Sequence, residues 1–283
     1  SDVLFFDKKK TSFLYRFIDA MTIGAAAKKL LKGKLVVFPT ETVYGLGALA
    51  SDVNAVKKIF EVKRRPSKNP LILHIADLIE LRKLVRNIPT SAMKLMDHFW
   101  PGPLTICFQK KKNVSDLVTA GLTTVCVRMP DHPKVRELLR RVGEPVAAPS
   151  ANVSGRPSTT TFKDAKAQLL KKGVFFLDGG KSPLGLESTI IDCSRKVPKL
   201  LRYGFISKEA IEKVLQQKIL DRTMSKKISS PGQHLAHYQP KGKLTVLMGK
   251  KQDRWTWLRK NIQNKKMTLG VMEDSKHFSE LRR

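Results

Sequence analysis

The sequence predicts an α/β (α+β) domain: a twisted mixed sheet packed by helices. Two observations lead there. Short apolar runs rich in β-branched residues recur along most of the chain, and capped amphipathic segments separate them. The two kinds of element mix without strict alternation, so a purely parallel sheet is not implied. At 283 residues and 41% hydrophobic content, the chain is long enough for one large domain with a smaller companion.

The elements follow in order. Ala20 to Lys32 has a helical apolar period and stops at Gly33. Leu35 to Phe38 is a strand. Ser51 or Asp52 caps a helix that carries Val53, Val56, Ile59 and Phe60 on one face. "NPLILHIAD" is a strand, and Asp77 with Glu80 forms a capping box for a helix through Arg86. Met93 to Trp100 is helical until Pro101 and Pro103 stop it. "LTICF" and "TTVCVRM" are strands. Asp131 and Pro133 open a helix that Gly143 ends. "PVAAPSAN" is a strand running into a loop. Thr161 and Asp164 box a further helix, closed by Gly173. "VFFLD", "STIIDC" and "KLLRY" are strands, and Ser207 begins a last helix to about Gln217.

A domain over 1–217 therefore precedes a linker over 218–243, where the apolar period fades and Pro, Gly and aromatic residues punctuate the chain. After it, "LTVLMG", a helix around Trp255, Leu258 and Ile262, and "MTLGVM" outline a small βαβ-like unit over 244–283. About forty residues rarely sustain a core alone, so this unit is expected to dock on something.

Composition narrows the partners. The chain holds 54 Lys and Arg against 24 Asp and Glu, a net charge of +30. Such a field attracts nucleic acid or nucleotide phosphates, the alternative being a merely solvated basic surface. No apolar run is long enough for a membrane span and no signal peptide opens the sequence, so a cytoplasmic protein is expected. Cys107, Cys126 and Cys193 are scattered and follow no metal-ligand spacing. They read as small buried hydrophobes in a reducing compartment, with no structural metal.

Two motifs mislead. Gly45-Leu46-Gly47-Ala48-Leu49-Ala50 matches the dinucleotide fingerprint, yet Pro39 to Tyr44 intervene between strand and first glycine. Where a carboxylate should follow, the basic run "KRRPSK" stands instead. Gly180-Lys181-Ser182 imitates the end of a P-loop, but Phe175 stands where its first glycine belongs and Pro183 blocks an immediate helix.

What remains is a set of polar residues on loops and strand ends. "PTETVY" offers hydroxyls beside glycine-softened backbone, suited to a small ligand with an amine, a hydroxyl and a carboxylate. Lys63, Arg64, Arg65 and Lys68 crowd together, and arginine there can clamp phosphate oxygens. His74 shares a strand face with Ile72. Thr124, Cys126 and Arg128 share another, and an arginine in an apolar strand needs an acidic partner, from a ligand or from the protein. "APSANVSGRPSTTT" can cradle an anion or can be an ordinary loop and helix cap.

Taken in order, "PTETVYGLG", Lys63 and Arg65 as K-x-R, "NPLILHI", "TTVCVRMP", Ser150 and Asn152 as S-x-N, "ESTIID" and "LLRYG" resemble the YrdC/Sua family of threonylcarbamoyl-adenylate synthases over about Ala20 to Gln217. The stretch "SPGQHLAHYQP" resembles the linker of the longer, two-domain Sua type, although Leu235, Ala236 and Gln239 depart from its usual pattern. The resemblance implies the YrdC-type sheet with a basic concave face. It implies synthesis of threonylcarbamoyl-adenylate and pyrophosphate from L-threonine, bicarbonate and ATP with Mg2+. It further implies a tRNA pathway in which another enzyme transfers the threonylcarbamoyl group.

By the same resemblance, Thr42, His74, Arg128 and Ser188 would hold threonine, with Arg128 on its carboxylate. Lys63, Arg65, Asn69, Thr124, Ser150, Asn152, Ser158 and Arg202 would hold ATP, with Lys63 and Arg65 as catalytic charges. His234, His237 and Tyr238 would form a linker lid. Two rival readings are a non-catalytic double-stranded RNA or tRNA-binding module and a related carbamoyl-adenylate step in hydrogenase maturation. The second belongs to longer chains with acylphosphatase and zinc-finger parts.

Overall fold

The computed structural model describes residues 22–221, together with 252, 253, 256, 257 and 260. The chain divides into two units, 1–239 and 240–283. In the second, all five described residues are helical, and Thr256 Oγ1 donates to the Gln252 carbonyl at 3.0 Å. The two strand-like stretches read on either side of that helix lie outside the described residues.

In the first unit, α1 (22–31) leads into β1 (Val36–Phe38) and β2 (Gly45–Leu49). Then come α2 (Val53–Lys63), β3 (Ile72–His74), α3 (Leu78–Leu84), α4 (Thr90–Phe99) and β4 (Leu104–Gln109). α5 (Asp116–Thr119), β5 (Thr124–Arg128), α6 (Pro133–Val142), β6 (Val146–Ala147) and α7 (Phe162–Leu169) follow. β7 (Phe175–Phe176), β8 (Thr189–Asp192), β9 (Lys199–Arg202) and α8 (Lys208–Leu215) complete it.

Nine strands form one sheet in the order β7-β1-β2-β6-β3-β5-β4-β8-β9. β7 with β1, β3 with β5 and β4 with β8 run parallel, and the other neighbours are antiparallel. This is the mixed sheet that the uneven alternation of elements predicts.

Local chemistry sets the element ends. The Asp52 carboxylate accepts from the Ala55 amide and caps α2. Asp77 accepts from Ile79 and Glu80, while Glu80 reaches back to the Ala76 amide at 2.7 Å and to the Asp77 backbone, as a capping box requires. α3 stops at Leu84, short of Arg86. α6 is capped by His132, whose ring accepts from the Lys134 amide, instead of by Asp131. The short helix α5 went unread, since four residues are too few to show a helical period.

The sheet has two differently dressed faces. Val37, Leu46, Leu73, Ile106, Val127 and Ile191 point into the main core with residues of α2, α3, α4, α7 and α8. Val36, Phe38, Val146 and Ala148 point the other way, into a smaller core with α1 and α6. Further along that second face lies a small cluster of Ile72, Cys107, Cys126, Ile190 and Leu201. His74 and Arg128 stand beside this cluster, at the ends of β3 and β5 and directly opposite one another in register.

Two readings of the sequence change here. The glycines of the false fingerprint lie in β2, in the middle of the sheet, and not in a loop. A Cβ on Gly45 would come within 2.9 Å of the Phe38 ring, and one on Gly47 within 2.5 Å of it and 2.7 Å of Val146. Close packing against an aromatic ring demands these glycines, not phosphate contact. The cysteines also differ from expectation. Antiparallel pairing sets Cys107 opposite Cys126 with Cα atoms 4.0 Å apart, and the two form a disulfide. Nineteen residues of sequence separation hid a contact that only strand register creates. Cys193 stays a free, buried thiol whose pKa burial pushes up to about 12.

Candidate active site

A cleft opens on the second sheet face, where β3, β5, β8 and β9 meet the loop after β1 and the loop after β6. Thr42, Arg65, His74, Arg128, Ser150, Ser188 and Arg202 all line it. These seven are scattered over 161 positions of sequence, from 42 to 202 counted inclusively. The sheet gathers them.

The loop after β1 is built from its own hydroxyls. Thr40 Oγ1 donates to the Val43 carbonyl at 2.6 Å and accepts from the Thr42 and Val43 amides. It also shares a 2.8 Å hydrogen bond with Thr42 Oγ1. Because Thr40 spends its proton on Val43, Thr42 must donate to Thr40. That leaves Thr42 oxygen lone pairs to face Arg128, whose Nη1 donates to it at 2.8 Å.

Arg128 is nearly enclosed. Its Nε donates to the Gly102 carbonyl at 3.2 Å, and its Nη2 pairs with Glu41 at 2.6 Å. The side chains of Arg128 and Glu41 are only 5% and 8% exposed. The partner that a buried arginine requires is thus supplied by the protein itself, and one N–H on each terminal nitrogen remains for a ligand.

His74 is a neutral imidazole. Burial, and behind it the charge of Arg128, brings its pKa down to about 3. Its ring stands edge-on to Phe38, with centroids 5.9 Å apart. The sign of the resulting pH effect is fixed. Unfolded His74 takes up a proton near its ordinary value of 6.5, whereas the folded ring does not until about 3. Its contribution is intact above 6.5 and is lost as pH falls, at up to about 1.4 kcal/mol per pH unit. Denaturant midpoints measured from pH 7 to pH 4 are expected to fall less in a His74→Asn variant than in the parent chain.

Ser188 Oγ shares a 2.8 Å hydrogen bond with Thr105 Oγ1 and accepts from Arg202 Nη2 at 3.0 Å. Arg202 also donates twice to the Ser188 carbonyl and forms a close ion pair with Glu187. Ser158 donates to the other Glu187 oxygen at 2.8 Å.

The remaining predicted residues support the cleft or stand off it. Arg65 lines it, and its guanidinium is oriented by the side-chain oxygen and carbonyl of Asn69 and by the Pro70 carbonyl. Arg64 makes this possible: its left-handed φ of 52° turns the chain sharply out of α2. Lys63, at the end of α2, is 1% exposed. Its ammonium donates to the carbonyls of Ser150 and Asn152, and to Asn152 Oδ1 at 3.4 Å. Burial holds its pKa well below the usual lysine range, with Arg65 adding to the shift and Glu187 opposing it. Ser150 Oγ donates to Asn152 Oδ1 at 2.6 Å, and Asn152 in turn donates to the Val153 and Arg156 carbonyls. Thr124 opens β5 opposite Gln109. His234, His237 and Tyr238 lie outside the described residues.

Four participants carried no assigned role in the sequence. Thr105 was hidden in an apolar strand. Glu41 and Glu187 were given no role, although an arginine needing a partner was a signal for one of them. Tyr44 donates to the Gly180 carbonyl at 2.7 Å and accepts from the Gly179 amide at 3.1 Å. That pins the second false phosphate loop to the cleft wall, and burial pushes the Tyr44 pKa up to about 12.

Such a cleft offers fixed arginines, oriented hydroxyls and an uncharged imidazole. Within it, the described residues hold no nucleophile paired with a general base. It can bind and hold polar, anionic reactants rather than attack them.

The Sua5/YciO/YrdC family model, described as telomere recombination, matches residues 28–204, more than half of the sequence. The chain belongs to this family. A second model, described as the threonylcarbamoyl-AMP synthase C-terminal domain, matches 206–282. The threonylcarbamoyl-AMP synthase of Bacillus subtilis is 47% identical over 231 residues, covering 80% of this chain and 67% of that one. Its counterpart from Pyrococcus abyssi is 44% identical over 236 residues, covering 82% and 69%. The crystal structure of P. abyssi Sua5 complexed with L-threonine superposes with a TM-score of 0.82 at 40% identity, over 89% of this chain and 77% of that one. The curated matches therefore span about two thirds of those relatives' lengths. Among the described residues, no helix is long and apolar enough to cross a membrane.

Proposed function

We propose that this chain is an L-threonylcarbamoyladenylate synthase, making threonylcarbamoyl-AMP and pyrophosphate from L-threonine, bicarbonate and ATP. The observation that carries the reading is the pairing of two anion-recognising groups in one cleft. Arg128 and the hydroxyls of Thr42 and Ser188 suit an amino-acid carboxylate and hydroxyl. Arg65, Arg202 and the loop of Ser150 and Asn152 suit a nucleotide. The names of the relatives fit both halves.

The chemistry fits a site of this kind. The amine of threonine takes up bicarbonate-derived carbon and expels water, giving a carbamate. A carbamate oxygen then attacks the α-phosphorus of ATP, and pyrophosphate leaves. Neither step needs a protein nucleophile. Both need reactants held in line, charge neutralised as it builds, and water kept away. Preorganised guanidinium groups supply the second. A neutral His74 adds a hydrogen-bonding group without a second cation beside Arg128.

Mg2+ would enter with ATP and would supply neutralisation of charge on its phosphates. Among the described residues, no group of three or more His, Cys, Asp or Glu side chains is placed to hold a metal. Glu187, the carboxylate on the cleft wall, is engaged by Arg202 and Ser158. The phosphates are therefore the expected metal ligands.

The product would supply a tRNA-modifying transferase in the cytoplasm, and the net charge of +30 suits proximity to tRNA. In this reading the linker, with His234, His237 and Tyr238, would serve as a lid that excludes water.

The test is pyrophosphate release from ATP by the purified chain, with threonine and bicarbonate supplied singly and together. Release that requires both supports the synthase. Intact ATP under every combination overturns it and moves attention to salt-dependent RNA binding, the non-catalytic alternative.

A further inference from the structure

Glu41 takes no part in the chemistry outlined above, yet among the described residues it is the carboxylate with a buried oxygen that finds no hydrogen-bond partner. It is 6% exposed, between the hydroxyls of Thr40 and Thr42 in sequence. One of its oxygens pairs with Arg128, and the other, Oε2, is buried with no hydrogen-bond partner. A half-satisfied buried carboxylate is costly, and ordinary packing would favour a neutral residue. Its position explains the cost. It occupies Nη2 of a guanidinium that lines the cleft, while Thr42 and the Gly102 carbonyl hold the other two nitrogens.

We infer that Glu41 is a positioning residue that sets the affinity for the amino-acid substrate, aiming Arg128 while competing with the substrate carboxylate for its charge. This rests on the synthase reading and deepens it. Without Glu41, Arg128 would be a buried, uncompensated cation with a rotatable end. It would bind any small anion strongly and without fixed geometry. With Glu41, the pair is neutral, and the arginine presents two N–H groups in one orientation. An incoming carboxylate then gains two aligned hydrogen bonds but meets a second carboxylate on the far side of the guanidinium. Affinity is held down and geometry is held firm. For an amino acid that must be bound, carbamoylated and released as its adenylate, firm geometry with moderate affinity favours turnover.

Two variants separate charge from aim. Glu41→Gln keeps the shape and an oxygen for Nη2 but removes the competing charge. Glu41→Asp keeps the charge but draws it back by one methylene. Threonine dissociation constants would be measured calorimetrically on the full chain, with ATP affinity and melting temperature as controls. The expected result is about three- to tenfold tighter threonine binding in Glu41→Gln and weaker binding by a similar factor in Glu41→Asp, smaller than a direct charge pair because the guanidinium lies between the two carboxylates. ATP affinity should stay within about twofold in both. A purely structural role predicts lowered melting temperatures with threonine affinity unmoved, or moved the same way by both variants, and either outcome overturns the inference. Should one variant fail to fold, the sign of the change in the other still decides. A parent chain that binds no threonine would instead overturn the synthase reading itself.

Discussion

Replacing Arg128 with alanine is expected to cut threonine-dependent pyrophosphate release by about 10²–10³-fold, the usual cost of losing one preorganised charge donor. The loss should fall on the amino acid. KM for threonine should rise steeply while nucleotide binding, measured by direct titration, stays close to that of the parent. The reasoning starts from burial. Arg128 is fixed by Gly102, Thr42 and Glu41, so its remaining N–H groups need no reorganisation when a carboxylate arrives. Alanine removes those donors and also strands Glu41 as an unpaired buried charge, a change that typically destabilises by about 3–5 kcal/mol. A melting curve must therefore accompany the kinetics. An Arg128→Ala variant that folds, binds ATP and still turns over threonine at the parental rate would remove Arg128 from the substrate site.

The second large effect is expected at Lys63. Lys63→Met keeps the aliphatic stem packed at the end of α2 and deletes the ammonium. The carbonyls of Ser150 and Asn152 then lose their shared donor, while Asn152 Oδ1 keeps the Ser150 hydroxyl. Each buried acceptor left unmatched costs about 1–3 kcal/mol. Chemical denaturation should report a loss of at least this size, and kcat/KM for ATP should fall by about 10²-fold as the loop loosens. Threonine binding should be largely kept. This pattern distinguishes two roles. A lysine that touches the phosphates directly would lower kcat with stability unchanged, whereas one that braces the nucleotide loop lowers both together.

Much of the fold is readable from sequence because its signals are local. Asp52, Asp77, Thr161 and Ser207 sit where caps belong, and Gly33, Gly143 and Gly173 each adopt the left-handed φ that ends a helix or turn. The apolar runs that became β3, β4, β5, β8 and β9 alternate or cluster as strands should. The errors came where structure is non-local. β2 was concealed by its glycines, which weaken a strand pattern and imitate a nucleotide loop. The reason for them is a phenylalanine in the neighbouring strand. The pairing of Cys107 with Cys126 and the contact of Thr105 with Ser188 depend on register, which no single segment encodes.

The site shows the same division. Residue types that bind anions stand out in a sequence, so Arg65, Arg128 and Arg202 were apparent, and all three line the cleft. Which groups fix those cations was not apparent. Glu41, Asn69 and Glu187 do so at distances that depend on tertiary packing. Lys63 shows what a K-x-R pattern leaves out: its ammonium is buried and donates to the Ser150 and Asn152 carbonyls.

The two glycines of β2 have a reach beyond their own strand. With only hydrogen on that side, they leave a shallow shelf on which the Phe38 ring lies, and the ring's place there sets where it meets the His74 imidazole. The orientation of the cleft-lining His74 is thus gauged from two strands away, by the thinness of the β2 backbone. A side chain at Gly47, which does not line the cleft, would therefore still register at His74.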